Sequence, residues 1–349
     1  MSARGRVFLG SDYILDDPWL RQVGMELTAR GYAVVHGPEQ RPPERTRFAP
    51  QDWEQLFGNV DVIVMTTRSI VPREILARAR ALRAVIFPTT GTETVDLSAA
   101  DDLGIVVGHG PTPENFNSMA ESTVMLMLTL SYQLHEKERI LRENLPRPKI
   151  SSARMLMGRT IGLIGFGRIA RAVVQRLSGW GVRILVLRRD RRGEPPEGVE
   201  FVSLDELLRQ SDFVSVHATL TEETRHMIGP AQFEVMKPTA FLVNTSRGGI
   251  VNEAALVEAL ASRRIAGAAL DAFDLEPLPS DSPLRALENV ILTSHMVGST
   301  KEVYDAISPA LLENIDRVMR GELPLYCRNP WCELAWRSRL SNLNASSPS

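Results

Sequence analysis

Three stretches of the 349-residue sequence combine side chains able to hold an anion and to move a proton. They are Val243-Asn-Thr-Ser-Arg-Gly-Gly-Ile-Val-Asn252, Ala269-Leu-Asp-Ala-Phe-Asp-Leu-Glu-Pro-Leu278 and Leu292-Thr-Ser-His-Met-Val-Gly-Ser-Thr300. Arg247 offers permanent charge and a rigid fork of donors suited to a carboxylate. His295 belongs to the residue type whose reference pKa, about 6.5, lies near working pH. A carboxylate such as Glu276 beside it would fix the ring and favour its protonated form. Each stretch follows an apolar run that reads as a strand, and ligands of doubly wound sheets lie beyond the carboxyl ends of the strands. Arg247, Glu276 and His295 are therefore expected to converge on the reactive end of a bound cofactor. Taken singly, they fit equally well a surface ion pair, a loop carboxylate and a hydrogen-bonded histidine.

The cofactor signal lies upstream. The apolar run Ile161 to Ile164 leads into Gly165-Phe-Gly167-Arg-Ile-Ala170, and Arg171 to Leu177 reads as a helix. This is the strand, glycine turn and helix of a dinucleotide-binding unit. Gly165 permits the turn, Gly167 lets the backbone approach a pyrophosphate, and Ala170 allows close helix–strand packing. The residue that reads the adenosine ribose should follow the second strand, Val182 to Leu187. Arg188 and Arg189 stand there, and their charge favours a 2′-phosphate, hence NADP(H) over NAD(H). Asp190 leaves NAD(H) open, since an acidic side chain binds a free 2′-OH.

Elements on either side must position these groups. Strands are expected at 6–10, 32–36, 61–67, 84–87 and 105–107, alternating with helices, which predicts a parallel sheet covered on both faces. One long helix is expected over 114–142. Six strands are expected from 161 to 293, enough for two mononucleotide-binding halves. The helix Lys301 to Arg320 is expected to return to the first domain. The domains are thus a discontinuous α/β domain without a glycine fingerprint, 1–112 plus 301–335, and a Rossmann NAD(P)-binding domain, 113–300. Residues 336–349 are polar and serine-rich, and disorder is expected there.

Composition limits the partners. With 44% hydrophobic and 23% charged residues and a net charge of −2, nothing favours nucleic acid or an anionic membrane. No apolar stretch reaches membrane-spanning length, and the N-terminal apolar run reads as a first strand rather than a signal segment. Cys327 and Cys332, the two cysteines, point to a reducing cytoplasm without a disulfide framework. No metal ligand set is assigned.

At the stretches quoted above the sequence resembles the D-isomer-specific 2-hydroxyacid dehydrogenase family, which includes phosphoglycerate dehydrogenases and glyoxylate/hydroxypyruvate reductases. The resemblance rests on Gly165 to Ala170, His217-Ala-Thr-Leu-Thr-Glu-Glu-Thr224, Asn244 to Gly248, Asp271 to Pro277, and Ser294-His295 through Gly298. It implies two doubly wound parallel-sheet domains, the Rossmann domain inserted in a flavodoxin-like one that is the substrate (catalytic) domain. It implies an NAD(P)-dependent interconversion of a 2-keto acid and a D-2-hydroxy acid. His295 would be the acid/base, Glu276 its partner, and Arg247 the grip on the substrate. Asp271 would bind the nicotinamide carboxamide, with Arg168, Ile169, His217, Thr224, Thr245, Ser246 and Gly298 lining the cofactor groove. Thr89, Thr90 and Gly91 occupy the loop whose backbone would hold the substrate carboxylate, where the family usually has more glycine. Arg68 is a second candidate substrate contact and His109 a candidate extra acid/base. Thr219 stands where the family generally has proline. The resemblance further implies a homodimer. Two other outcomes belong to the same family: a dinucleotide-sensing scaffold without turnover, and a dehydrogenase of a small anion of the formate or phosphite type.

Overall fold

The computed structural model describes residues 4–10, 17–39, 45–189 and 193–345. Asp190, Arg191 and Arg192 and the last four residues lie outside the described residues. The chain divides into two compact units, 1–113 with 301–349, and 114–300.

The first unit holds β1 (Arg6–Leu9), β2 (Ala33–His36), β3 (Val62–Val64), β4 (Ala84–Ile86) and β5 (Val106–Gly108). They form a parallel sheet in the order β2-β1-β3-β4-β5, the flavodoxin-like arrangement. Alternation along the strands explains why both faces need cover. Phe8, Ile63, Val85 and Val107 enter one apolar cluster, while Val7, Leu9, Val62, Val64, Ala84, Ile86 and Val106 enter another. The helix Lys301–Met319 contributes Leu311, Leu312, Ile315 and Val318 to the second cluster.

The expected disorder of residues 336–349 is corrected for its described part. Residues Glu333–Ala345 form a helix, with Trp336 fully buried in the second cluster and its Nε1 donating to the Arg83 carbonyl at 2.9 Å. The Arg339 guanidinium donates to the carbonyls of Leu82, Leu103, Ala79 and Arg80. Composition is a poor guide here because one narrow stripe, Trp336, Leu340 and Leu343, does the packing while the serines and asparagines stay outside it. Ahead of the helix, buried Asn329 accepts from the Val107 amide at 2.8 Å and donates to Asp101 at 2.7 Å. Both cysteines are free thiols, and burial pushes Cys327 up to about 11.

The second unit holds β6 (Thr160–Ile164), β7 (Arg183–Leu187), β8 (Val199–Phe201), β9 (Phe213–Val216), β10 (Phe241–Asn244), β11 (Gly267–Leu270) and β12 (Val290–Leu292). The sheet runs β8-β7-β6-β9-β10-β11-β12, all pairs parallel. This is the Rossmann order extended by β12. The sequence expectation of six strands misses β8, a short edge strand directly after a proline-bearing loop. The single helix expected over 114–142 is also two helices, Pro113–Tyr132 and Leu134–Arg142, parted by Gln133 at φ 52°. The first buries Ala120, Val124, Leu126, Met127 and Leu130, whereas the second buries nothing. A left-handed residue between them breaks the hydrogen-bond ladder. No helix among the described residues is long and apolar enough to cross a membrane.

Candidate active site

Strand register explains how distant stretches of the Rossmann domain meet. Ile164, Val216, Asn244, Leu270 and Leu292 are lateral partners across adjacent strands, and Leu187 flanks Ile164. The residues that follow, Arg188, Gly165, His217, Thr245, Asp271 and Thr293, therefore leave the sheet along one edge. Amides continue the ladder past that row. Gly165 donates to Leu187 at 2.7 Å, His217 to Ile164 at 2.8 Å, Asp271 to Asn244 at 2.9 Å and Thr293 to Leu270 at 2.9 Å.

The glycine turn fits a pyrophosphate. Gly165 has φ 100°, and a Cβ there would stand 2.8 Å from the His217 carbonyl, so both backbone and space require glycine. Gly167 differs. Its φ of −77° suits any residue and a Cβ would meet nothing within 4 Å, so the fold itself does not require glycine there. That open space fronts the N-terminus of the helix Arg168–Leu177, whose cap has no side-chain bond. Exposed amides and open space together are what a dinucleotide phosphate needs. Arg168 is exposed on the first turn, and Ile169 is half-buried against the core.

The other cofactor candidates divide between open and structural roles. The His217 ring lies 2.9 Å from the Ser215 hydroxyl, and burial pushes its pKa down to about 4, so it is neutral at physiological pH. Ser246 donates its hydroxyl to the Ala218 carbonyl at 2.5 Å, and buried Thr245 follows β10 directly. Thr224 uses its hydroxyl to close its own turn, donating to Thr219 at 2.7 Å and accepting from the Thr221 amide at 2.8 Å. Arg188 lies over the Phe201 ring, whereas Arg189 is paired with Glu223.

At the other end of the row, His295 Nδ1 sits 2.8 and 2.9 Å from the two oxygens of Glu276. Glu276 is itself oriented by the Phe273 amide, which donates to it at 3.1 Å. The His295 backbone is left-handed, φ 57°. Buried Asp271 holds that loop: its Oδ1 accepts from the Thr293 hydroxyl at 2.7 Å and from the Met296 and Val297 amides at 2.9 and 3.1 Å. Burial raises its pKa, against the opposing pull of those donors and of His295. On the far side the loop is clamped to the helix Pro113–Tyr132, where Ser118 and Ser122 donate to the carbonyls of Gly298 and Val297. A Cβ at Gly298 would stand 2.1 Å from Met119 Sδ.

Arg247 leaves β10 through a turn fixed by buried Asn244, whose Nδ2 donates to the Arg247 carbonyl at 3.0 Å. The next residue locks this turn to the Glu276 loop. A Cβ at Gly248 would fall 2.0 Å from the Phe273 carbonyl carbon and 2.4 Å from the Asp274 nitrogen. Arg247 and the His295–Glu276 pair thus belong to one packed edge.

In the first unit, Thr89, Thr90 and Gly91 follow the carboxyl end of β4, half-buried, exposed and buried in turn. The Gly110 amide donates to Thr89 at 3.0 Å, and the His109 ring lies 2.9 Å from the Thr90 carbonyl. Buried Arg68 follows β3, the strand paired with β4. His109 therefore packs on the candidate carboxylate loop. Sequence reasoning gave no role to Asn244 or Gly248 and passed over Phe201, whose one signal is the Val199-Glu-Phe201 alternation.

A histidine–carboxylate pair beyond the strand ends of a Rossmann sheet is an arrangement that hydride-transfer chemistry with a proton donor can use. Comparison with known proteins narrows the class. Residues 124–297 match the model of the D-isomer specific 2-hydroxyacid dehydrogenase, NAD binding domain. The chain is 39% identical over 272 residues to a glyoxylate reductase of Korarchaeum cryptofilum, spanning 76% of this chain and 81% of the relative. It is 37% identical over 281 residues to a D-3-phosphoglycerate dehydrogenase of Methanocaldococcus jannaschii, spanning 80% and 53%. A solved glyoxylate reductase from Paecilomyes thermophila superposes with a TM-score of 0.80 at 26% identity, covering 94% of this chain and 99% of that one. The chain belongs to the D-isomer-specific 2-hydroxyacid dehydrogenase family of oxidoreductases, and its cofactor is a nicotinamide dinucleotide.

Gly248→Ala tests the coupling of the two loops. Since a misplacement of about 1 Å costs on the order of 10²-fold in rate, kcat/KM should fall at least that far while far-UV circular dichroism is unchanged. Full activity would show that the contact does not matter.

Proposed function

We propose that this chain reduces a small 2-keto acid, such as glyoxylate or hydroxypyruvate, to the D-2-hydroxy acid, with NADP(H) preferred over NAD(H). The contact of His295 Nδ1 with both Glu276 oxygens carries the reading. With Nδ1 engaged by the carboxylate, Nε2 is the nitrogen that delivers a proton to the substrate. Glu276 keeps the ring in one orientation and fixes which nitrogen faces the substrate. Arg247 binds the substrate carboxylate and polarises the 2-oxygen, and its charge stabilises the alkoxide as it develops. When bound, the reduced nicotinamide supplies the hydride to the ketone carbon.

The first unit serves as the substrate domain, with the amides of Thr89, Thr90 and Gly91 holding the carboxylate. In the second, Asp271 contacts the carboxamide as an already anchored carboxylate. Gly165, Gly167, Arg168, Ile169, His217, Thr224, Thr245, Ser246 and Gly298 line the groove, and Arg188 reads a 2′-phosphate. The names of the glyoxylate reductase relatives support a small substrate. The chain works as a homodimer. The helix Leu134–Arg142 buries no residue, and Leu141 and Ile150 are 83% and 86% exposed, an apolar surface that a second copy would cover.

Removing His295 with alanine should lower kcat on the best keto acid by about 10²–10⁴-fold, while the dissociation constant of the reduced dinucleotide stays within about twofold. Glu276→Gln should show the same pattern to a smaller degree. Wild-type turnover in His295→Ala would remove the proton-transfer role. For the assembly, light scattering should give about twice 38.8 kDa, and a monomer mass would contradict the dimer.

A further inference from the structure

Beside the glycine turn of the Rossmann domain, four side chains form a continuous stack. Arg171 Cζ lies 4.3 Å from the centre of the Phe166 ring. The rings of Phe166 and Phe201 meet edge to face, 5.8 Å apart at 73°. Arg188 Cζ lies 5.1 Å over Phe201. Strand register accounts for the last contact. Phe201 pairs laterally with Val186 on β7, and Arg188, two residues further on, shares the face of Val186. Diagonal neighbours on one sheet face are within reach of long side chains. Both rings also pack against the apolar cluster containing Ile161, Val173 and Val186, so the platform is anchored in the core.

The neighbouring arginine is held differently. Arg189 is ion-paired with Glu223, and the two side chains are 75% and 74% exposed. A pair so open to water is weak and easily rearranged.

We propose that Phe201 sets dinucleotide choice as a positioning residue, its ring holding the Arg188 guanidinium at the end of β7, the place from which the ribose 2′ substituent is read. The inference rests on the NADP(H) preference proposed above. A guanidinium stacked on a ring keeps its edge N–H donors for a phosphate and loses less side-chain freedom on binding than one extended into water. Arg171, stacked on Phe166 at the first turn of the helix Arg168–Leu177, supplies a second ordered cation beside the same turn. Arg188 is then the residue that contacts the phosphate, Phe201 acts through it, and Arg189 mainly neutralises Glu223.

The test is calorimetric binding of NADPH, NADH and adenosine 2′,5′-bisphosphate to the full-length protein and its variants at one fixed salt concentration. Arg188→Ala should weaken NADPH and the bisphosphate by about tenfold or more, as expected for losing a charge-assisted phosphate contact, with NADH unchanged within about twofold. Phe201→Leu keeps an apolar side chain on the edge strand but removes the π face. It should weaken NADPH and the bisphosphate by about three- to tenfold, the range of a partly exposed cation–π contact, again sparing NADH. Phe201→Tyr should restore wild-type binding, and Arg189→Ala should change the NADPH-to-NADH ratio less than Phe201→Leu does. If Arg188→Ala abolishes the preference and Phe201→Leu leaves it intact, the platform is wrong while the NADP(H) reading stands. A wild-type protein that binds NADH as tightly as NADPH overturns both.

Discussion

Asp271 carries an ionisable group into the interior at the end of β11, where it is only 2% exposed. Burial opposes its charge, and three donors from the following loop, the Thr293 hydroxyl and the Met296 and Val297 amides, compensate. The geometry runs in both directions. The carboxylate needs those donors, and the loop that supplies them must curl tightly, which places His295 in a left-handed conformation at φ 57°. A non-glycine residue in that region is costly unless its surroundings determine it. Here Asp271, Glu276 and the clamp from Ser118 and Ser122 determine it together. The conformation of His295 is thus held by the hydrogen-bonding needs of a buried neighbour.

The same economy of parts runs along the whole sheet edge. Parallel pairing in fixed register brings six strand ends into one row, so the candidate cofactor groove and the histidine pair are consequences of alignment rather than of local sequence. Close backbone approach then joins neighbouring loops at Gly165 against His217 and at Gly248 against Phe273. Gly167 is the exception, a glycine facing open space, and for that reason the one that points most directly to a ligand.

Much of this was legible in the sequence, because doubly wound sheets announce themselves. Buried parallel strands such as Ile161 to Ile164 and Phe213 to Val216 are continuous apolar runs, and a glycine turn between strand and helix has few other uses. The chemistry of Arg247, Glu276 and His295 was legible as types, and so was the pairing of Glu276 with His295. The supports at Asn244 and Gly248 were not, since they act through backbone geometry that composition does not encode. Misreadings came from weak local signals. A three-residue edge strand, β8, hides behind prolines, and the helix Glu333–Ala345 depends on a tertiary partner for Trp336 that lies far back in the chain. Gln133 breaks a helix that propensity alone would continue. For β8 and the helix Glu333–Ala345, pairing and packing against distant residues decided what short-range preference left open.

The proposed reduction of a 2-keto acid at this edge is tested by the initial rate of NADPH and NADH oxidation, followed by absorbance, with glyoxylate, hydroxypyruvate, pyruvate and bulkier 2-keto acids. Oxidation should depend on the keto acid, run faster with NADPH, be strongest on a small substrate and yield the D-hydroxy acid. Tight dinucleotide binding with no turnover on any member of that panel would contradict it, and would assign the same fold and the same histidine pair to sensing rather than catalysis.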